Sequence, residues 1–293
     1  LSSWRVAQKG VRCWLAEGRA LFSQGERARA KARGSGMSHR ERVYRTEAIV
    51  LRRTDFGEAD RLLTVFTPGR GKLRLIAKGA RKPSSRKSGH VELFSHGQFM
   101  VAVGRELDIV TQAETVEPFL SLREDLLRTT YAYYVAEMAD AFTAERDENG
   151  PLFRLLVDAF GWLCVAGDLA LAARYYELHL LGLVGYQPQL FACVGCRNPL
   201  EPEGSYLSAA DGGVLCPKCG HDWSGATELS VNALKVLRFL QTRGWETCRL
   251  LRLNPATQTE VERVMIGYIT YHLERKLKSV DFIHRLRRQV GVG

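Results

Sequence analysis

The stretch Leu62-Leu63-Thr64-Val65-Phe66-Thr67-Pro68-Gly69-Arg70-Gly71-Lys72-Leu73-Arg74-Leu75-Ile76-Ala77 decides the fold of the amino-terminal part of this chain. Its first six residues are rich in β-forming side chains, and Pro68-Gly69-Arg70-Gly71 is a strong turn signal. Leu73, Leu75 and Ala77 then alternate with Lys72, Arg74 and Ile76, which is the period of a half-buried strand. The stretch therefore predicts two strands joined by a turn.

Three further strand-like runs surround this pair. They cover residues 45–52, 99–103 and 107–114, and the last two are joined at Gly104-Arg105-Glu106. Five short strands within about 75 residues predict a small closed β-barrel. An SH3-like barrel and an open sheet fit the same pattern.

The periodicity becomes helical after the last of these strands. Apolar residues recur at three- and four-residue steps over residues 122–142, as in a long amphipathic helix. Residues 152–165 and 169–184 predict two mostly apolar helices that pack in the centre of a bundle. Two more helices are predicted, one capped by Ser230 and running to about Thr242, and one capped by Thr257 or Thr259 and running to about Lys278.

Composition is that of an ordinary globular protein. The 293 residues are 45% hydrophobic and 25% charged, which argues against a disordered or coiled-coil chain. No apolar run approaches the roughly 18 residues that cross a bilayer, so we expect no membrane partner.

The net charge of +10 is distributed unevenly. Residues 1–36 contain 8 basic and 2 acidic side chains, residues 37–117 contain 15 and 10, and residues 118–293 contain 19 and 20. A localised basic excess favours a polyanionic partner such as nucleic acid. Met37 resembles a start, so we interpret residues 1–36 as a basic extension that is not native; a transit peptide is the alternative.

Seven cysteines, an odd number with no secretory signal before them, indicate a reducing compartment. Four of them form the pairs Cys193-Val194-Gly195-Cys196 and Cys216-Pro217-Lys218-Cys219, 19 residues apart, a spacing typical of a zinc site. Four protein ligands leave no position for water or substrate, so we expect one structural Zn²⁺ per chain. A redox pair, disulfides, an iron–sulfur cluster and a His221 ligand in place of Cys219 are the alternatives.

Eight basic residues and no acidic residue lie between positions 70 and 87. They are Arg70, Lys72, Arg74, Lys78, Arg81, Lys82, Arg86 and Lys87. We expect the strand and the flexible loop after it to bind nucleic-acid phosphates with little sequence preference, because aromatic stacking platforms are few. A second cluster is either a contact for an acidic peptide or nucleic acid, or the solvated end of a helix. It comprises Arg275, Lys276, Lys278, Arg285, Arg287 and Arg288.

Motifs of common enzyme classes are missing from the sequence. Gly69-Arg70-Gly71-Lys72 lacks the spacing and the Ser or Thr of a phosphate-binding P-loop. There is no Gly-x-Ser-x-Gly nucleophile elbow, paired-histidine zinc helix or dinucleotide fingerprint. We therefore expect a protein that is not an enzyme.

Several motifs together resemble the bacterial RecO family of DNA repair and recombination mediators. They are Ala48-Ile49-Val50-Leu51, Gly57-Glu58-Ala59-Asp60-Arg61-Leu62-Leu63, Ala77-Lys78-Gly79-Ala80-Arg81, Tyr176-Glu177-Leu178, Gly185-Tyr186-Gln187-Pro188 and the cysteine quartet. The resemblance covers residues 37–290 and matches Lys78 and Arg81 to the family's basic loop. It implies an OB-fold barrel, a helical domain and a zinc module.

The resemblance also implies a function and partners. A RecO-like protein binds single- and double-stranded DNA, anneals complementary strands, and works with RecR and sometimes RecF to load RecA onto DNA coated by single-strand binding protein, whose acidic tail it recognises. It would be cytoplasmic and nucleoid-associated. An RNA- or ribosome-associated factor with a similar barrel and zinc ribbon is the alternative, and a scaffold with incidental basic stretches is a third.

The resulting prediction is an α+β multidomain protein. Its parts are an extension over residues 1–36, an OB-fold DNA-binding domain over 37–117, a helical domain formed by 118–192 and 225–293, and a zinc module over 193–224.

Overall fold

Five strands form a closed barrel near the amino-terminal end of the described chain. The computed structural model describes residues 42–221 and 223–290. The barrel strands are β1 (Val43–Phe56), β2 (Asp60–Thr67), β3 (Gly71–Ala77), β4 (His96–Ala102) and β5 (Asp108–Glu117). They follow the order β1-β2-β3-β5-β4 and close from β4 to β1; β3 and β5 pair in parallel, and the other neighbours are antiparallel. This Greek-key barrel is an OB fold, so the SH3-like and open-sheet alternatives are wrong.

The alternation in β3 sets what the barrel encloses. Leu73, Leu75 and Ala77 are buried, while Arg74 between them is exposed. Residues 78–90 then fold into consecutive turns with backbone bonds between residues three apart. Ala80 and Val91 are fully buried in the barrel core, so this segment closes one end of the barrel. The predicted loop is therefore a series of turns, and its flexibility stays a prediction.

Nine helices make up most of the remaining described chain. They are α1 (Ser121–Glu124), α2 (Leu126–Phe142), α3 (Gly150–Val165), α4 (Leu169–Leu183), α5 (Pro217–Gly220), α6 (Val231–Thr242), α7 (Trp245–Cys248), α8 (Pro255–Leu273) and α9 (Lys278–Val290). Ser230 caps α6 as predicted, its hydroxyl accepting from Ala233 N at 3.2 Å. Asp125 adopts extended backbone and divides the predicted 122–142 helix into α1 and α2.

The last predicted helix is wrong at both ends. Asn254, rather than Thr257 or Thr259, caps α8, because its side chain accepts from Thr257 N at 2.8 Å. Glu274 has a left-handed φ of 54° and ends α8 at Leu273. A separate helix, α9, begins at Lys278.

The cysteine region contains a small antiparallel sheet. Its strands are β6 (Ser205–Ser208), β7 (Gly213–Leu215) and β8 (Thr227–Leu229), in the order β7-β6-β8. Leu207, Val214 and Leu215 belong to the same buried apolar cluster as the helices. The cysteine region is therefore continuous with the core of the helices.

The barrel also shares its packing with the helices. Ile49, Leu51 and Phe66 are buried in the helical core cluster rather than in the barrel interior, and residues 42–290 lie within one compact unit. Gly71 (φ 60°) makes the closest approach, since a Cβ there would lie 1.9 Å from the carbonyl oxygen of Asp147. A side chain at this position would push the two parts of the molecule apart.

The extension predicted over residues 1–36 lies outside the described residues, and the domain boundaries stay predictions. In the described part of the chain, no helix combines the length and the apolar character that a bilayer span requires.

Candidate nucleic-acid interface and metal centre

The outward side of β3 carries a row of alternate residues from Lys72 through Arg74 and Ile76, and Lys78 follows just past the strand. At about 3.3 Å per residue the row extends about 20 Å. Arg74 lies opposite Thr64 of β2, and Thr64 lies opposite Arg52 of β1. Arg52 therefore lies on the same outward side of the barrel as Arg74, two strands away.

Four cations of β3 and of the turns that follow it are exposed. None of their side chains forms a hydrogen bond or an ion pair with any residue that the structure describes. They are Arg74, Lys78, Lys82 and Arg86, and together they are named here the cationic barrel surface. Cations without acidic partners remain available to neutralise phosphate groups.

Two motifs of the family resemblance, residues 57–63 and residues 77–81, contact each other where β3 ends. Arg81 N donates to Ala59 O at 2.9 Å, and its guanidinium lies 3.4 Å from Asp55 Oδ2. Gly79 N donates to Asp60 Oδ1 at 2.8 Å. Arg61 is half-buried and binds Glu92 at 3.0 Å. Asp60 and Arg61 therefore hold the turns that present the cations, and Arg81 is partly engaged in the same task.

Other cations of the predicted run lie elsewhere. Lys72 Nζ donates to Asp140 of α2, to Oδ1 at 2.9 Å and to O at 2.6 Å, and its side chain is only 12% exposed. Lys72 therefore joins the barrel to the helices, and we withdraw it from the DNA-binding set. Arg70 stacks over the Tyr44 ring at 4.1 Å at the opposite end of β3. Lys87 Nζ donates to Val110 O at 3.0 Å.

The carboxy-terminal cluster is partly a surface and partly a structural contact. Its exposed members are Arg275, Lys276, Lys278, Arg285 and Arg288. Arg287 is mostly buried, lies 2.7 Å from Glu262 Oε2 and also donates to Tyr131 Oη. We therefore withdraw Arg287 as a ligand contact, since it anchors α9 to the helical domain.

Glu137 of α2 is a second anchor of α9 that no sequence motif indicated. Its carboxylate accepts from Lys278 N at 3.0 Å, Ser279 N at 2.9 Å and Ser279 Oγ at 2.5 Å. It therefore caps α9 from another helix. A cap from outside the local sequence leaves no nearby pattern to detect.

A buried polar network also escaped the sequence analysis. Arg174 lies 2.6 Å from Glu177 Oε1, and Tyr134 Oη donates to the same oxygen at 2.5 Å. Burial raises the pKa of Glu177 to about 7, although the Arg174 guanidinium opposes this shift. The sequence signal for this network was the pair Arg174 and Glu177, two charges three residues apart in an otherwise apolar helix. Their role is to fix the packing of α4 against α2.

The four paired cysteines converge on one point. One Sγ atom from each of Cys193, Cys196, Cys216 and Cys219 lies within 4.8 Å of the other three. The Cys196–Cys216 Sγ distance is 3.9 Å, close to the edge of about 3.8 Å that a tetrahedron with metal–sulfur bonds of about 2.3 Å requires. All four are free thiols, so the disulfide alternative does not apply. The cluster can hold a metal ion.

The electrostatics of the cluster favour a cation at its centre. Although burial opposes it, hydrogen bonds from the backbone N–H groups of Cys216, Cys196 and Gly195 lower the pKa of Cys193 to about 6. Hydrogen bonding with Cys216 and Cys196 raises the pKa of Cys219 to about 12. Without a metal the four thiols do not all ionise near neutral pH, whereas a bound cation stabilises four thiolates together.

The chain is an α+β protein of the OB-barrel class. Its barrel packs on a helical domain, which also holds the four-thiol centre. Family models described as Recombination protein O N terminal and Recombination protein O C terminal match residues 37–119 and 123–281. The chain belongs to the RecO family of DNA repair proteins.

The chain aligns with curated relatives over nearly their whole lengths. The chain is 43% identical to the DNA repair protein RecO of Roseiflexus sp. (strain RS-1), over 86% of this chain and 88% of that protein. It is 38% identical to DNA repair protein RecO of Desulforamulus reducens, over 86% and 98%. The protein of the same name from Dehalococcoides mccartyi (strain ATCC BAA-2266 / KCTC 15142 / 195) is 36% identical, over 84% and 96%.

Proposed function

We propose that this chain is a DNA-binding recombination mediator that is not an enzyme. It would anneal complementary single strands and, with RecR and RecF, help to load RecA onto single-stranded DNA coated by single-strand binding protein. The observation that carries this proposal is the cationic barrel surface, four exposed cations without described partners on an OB barrel of a DNA repair family. Strands 2 and 3 of such barrels commonly bind oligonucleotides.

The mechanism rests on charge rather than on a reaction at a catalytic residue. Two DNA strands repel each other through their phosphates, and each bound cation releases counterions and lowers that repulsion. Base pairing then supplies the driving force of annealing. Contacts to phosphates carry no sequence information, so the protein would act on any complementary pair.

The metal of the four-thiol centre is proposed to be Zn²⁺, with Cys193, Cys196, Cys216 and Cys219 as ligands. A closed set of four thiolates gives zinc a structural role, since no site for water remains. The ion would fix β6, β7 and α5 against the helical core.

The acidic tail of single-strand binding protein is proposed to bind beside α9. A cavity of about 210 Å³ there is lined by Ile266, Ile269 and Val280, and its lining also includes Lys276 and Asp281. Apolar walls beside an exposed cation suit a peptide that is both acidic and apolar. Arg275 precedes Lys276 in the chain and is also exposed.

Annealing of complementary labelled strands, followed by energy transfer, tests the proposal. The variant Arg74→Gln/Lys78→Gln/Lys82→Gln should anneal at least about tenfold more slowly at low salt, because three phosphate contacts are lost. The control Lys235→Gln/Arg243→Gln/Arg252→Gln removes three exposed cations outside the barrel and should anneal at the wild-type rate. Equal rates for the two variants would contradict the proposal. Stronger binding of RNA than of DNA would instead favour an RNA-associated role.

A further inference from the structure

A groove opens between the barrel and the helical domain, beside the cationic barrel surface. Its volume is about 360 Å³. Its lining includes Leu51 and Arg52 of β1, Tyr133 of α2 and Phe282 of α9. A groove of this size accommodates a planar ring system of one or two rings.

The groove adds aromatic surface to a barrel whose rings are mostly buried. Of the Phe and Tyr rings in residues 43–117, only Phe56 of β1 is exposed, at 52%. Tyr44, Phe66, Phe94 and Phe99 are buried. In contrast, Tyr133 and Phe282 are 44% and 41% exposed. Phe94 meets the Tyr133 ring edge to face at 5.0 Å, which holds that ring in place. A partly exposed ring with a fixed orientation is a platform on which a base can stack.

The polar groups of the groove are already balanced in charge. Asp140 binds Arg52 at 2.9 Å and Lys72 at 2.9 Å, and Glu137 binds the first turn of α9. An acidic peptide in the groove would place its carboxylates beside these two. A nucleobase, in contrast, offers amino groups that carboxylate oxygens can accept, as carboxylates do from cytosine.

The groove is continuous with the cationic barrel surface. Arg52, whose side chain is 64% exposed, lies in register with Thr64 and Arg74 across β1, β2 and β3. A strand whose phosphates contact Arg74 therefore has its next phosphate position near Arg52, at the edge of the groove.

We propose that this groove holds an unstacked base of single-stranded DNA while the adjoining phosphates lie on the cationic barrel surface. The base stacks on Phe282 and Tyr133, and an amino group of the base donates to Asp140 or Glu137. The inference rests on the proposed function, because it needs DNA on the barrel. It adds a base contact to an interface that otherwise reads only phosphates.

The test compares two labelled probes of equal length and charge on the full-length protein, an oligo(dC) strand and an abasic strand. The wild type should bind oligo(dC) about tenfold more tightly, because stacking adds affinity that the abasic strand cannot gain. Phe282→Ala should reduce this preference to about twofold without changing the salt dependence. Phe282→Tyr should retain the preference, and so should Phe191→Ala, a control that removes an exposed ring beside the cysteine module.

The outcomes separate this inference from the proposed function. Equal, salt-sensitive binding of both probes by the wild type would overturn the base site and leave the DNA-binding proposal standing. Absence of salt-sensitive binding to either probe would overturn both. If Phe282→Ala kept the oligo(dC) preference but lost binding of an acidic, apolar decapeptide, the groove would be a peptide site and the inference would be wrong.

Discussion

Removal of the Glu137 carboxylate should release the start of α9 while the rest of the helical domain stays folded. Glu137 accepts three hydrogen bonds from Lys278 and Ser279. Loss of a helix cap costs about 1 kcal/mol, loss of a negative charge at a helix amino terminus about 0.5 kcal/mol, and loss of the bond to the Ser279 hydroxyl about 0.5 to 1 kcal/mol. Together these terms predict that Glu137→Ala weakens the docking of α9 by about 2 kcal/mol.

Hydrogen exchange of the full-length protein, read by mass spectrometry over residues 278–290, measures this loss directly. A change of about 2 kcal/mol corresponds to about 30-fold faster exchange when opening is local. Glu137→Gln retains an acceptor oxygen but loses the charge, so we expect a smaller increase of about fivefold. Phe282 and Lys278 belong to the same helix, so the groove beside the barrel should loosen with it.

A surface ion pair provides the control for this experiment. Glu246 lies 2.6 Å from Arg249, and both side chains are exposed, so Glu246→Ala should leave exchange in α9 unchanged. Wild-type exchange of α9 in Glu137→Ala would show that the cap contributes nothing. Equally faster exchange throughout the helical domain would show that α9 does not open as a local unit.

Three further predictions concern the fold and the metal. Gly71→Ala should lower the free energy of unfolding in urea by about 3 kcal/mol, because a Cβ would meet Asp147 O at 1.9 Å. The control Gly69→Ala, with open space around it, should change that free energy by less than about 0.5 kcal/mol. Similar losses in the two variants would refute the clash. Elemental analysis should find one zinc per chain in the wild type and none in Cys193→Ser. That variant should lose thermal stability, because the cysteine module shares the helical core, but should keep its helical circular dichroism. A metal-free wild type purified without chelators would contradict the zinc assignment. Although burial raises the pKa of Glu262, the nearby Arg174 and Arg287 outweigh burial and lower that pKa below its usual value. The carboxylate's contribution to stability is therefore present above about pH 4.5 and is lost as the pH falls through the lowered pKa. Glu262→Gln should lose more stability at pH 7 than at pH 3, and equal losses at the two pH values would contradict this.

The barrel was predictable because its signals are local. The turn at residues 68–71 and the alternation of Leu73, Leu75 and Ala77 are visible in the sequence, and the structure places both as predicted. The family resemblance, and not the strand count, distinguished an OB barrel from an SH3-like one. Strand order depends on the pairing of β3 with β5, residues that lie far apart in the chain. The cysteine quartet was equally local, since two close pairs indicate a shared centre.

The cation assignments were less predictable because charge alone does not reveal partners. Lys72 and Arg74 look equivalent in sequence, yet Lys72 binds Asp140 from α2 while Arg74 has no described partner. Arg287 likewise looks like its neighbour Arg288 but binds Glu262. Which cation is free depends on contacts between distant segments. The break at Glu274 was missed for a related reason, since a non-glycine residue with positive φ has no strong sequence signal.

The salt dependence of binding to single-stranded DNA tests the central claim most directly. Each phosphate contact adds about 0.7 to the slope of log affinity against log salt concentration. We predict that Arg74→Gln/Lys78→Gln/Lys82→Gln has a slope shallower than the wild type by about 2, while Lys235→Gln/Arg243→Gln/Arg252→Gln keeps the wild-type slope. A barrel variant with an unchanged slope would show that DNA does not lie on the cationic barrel surface.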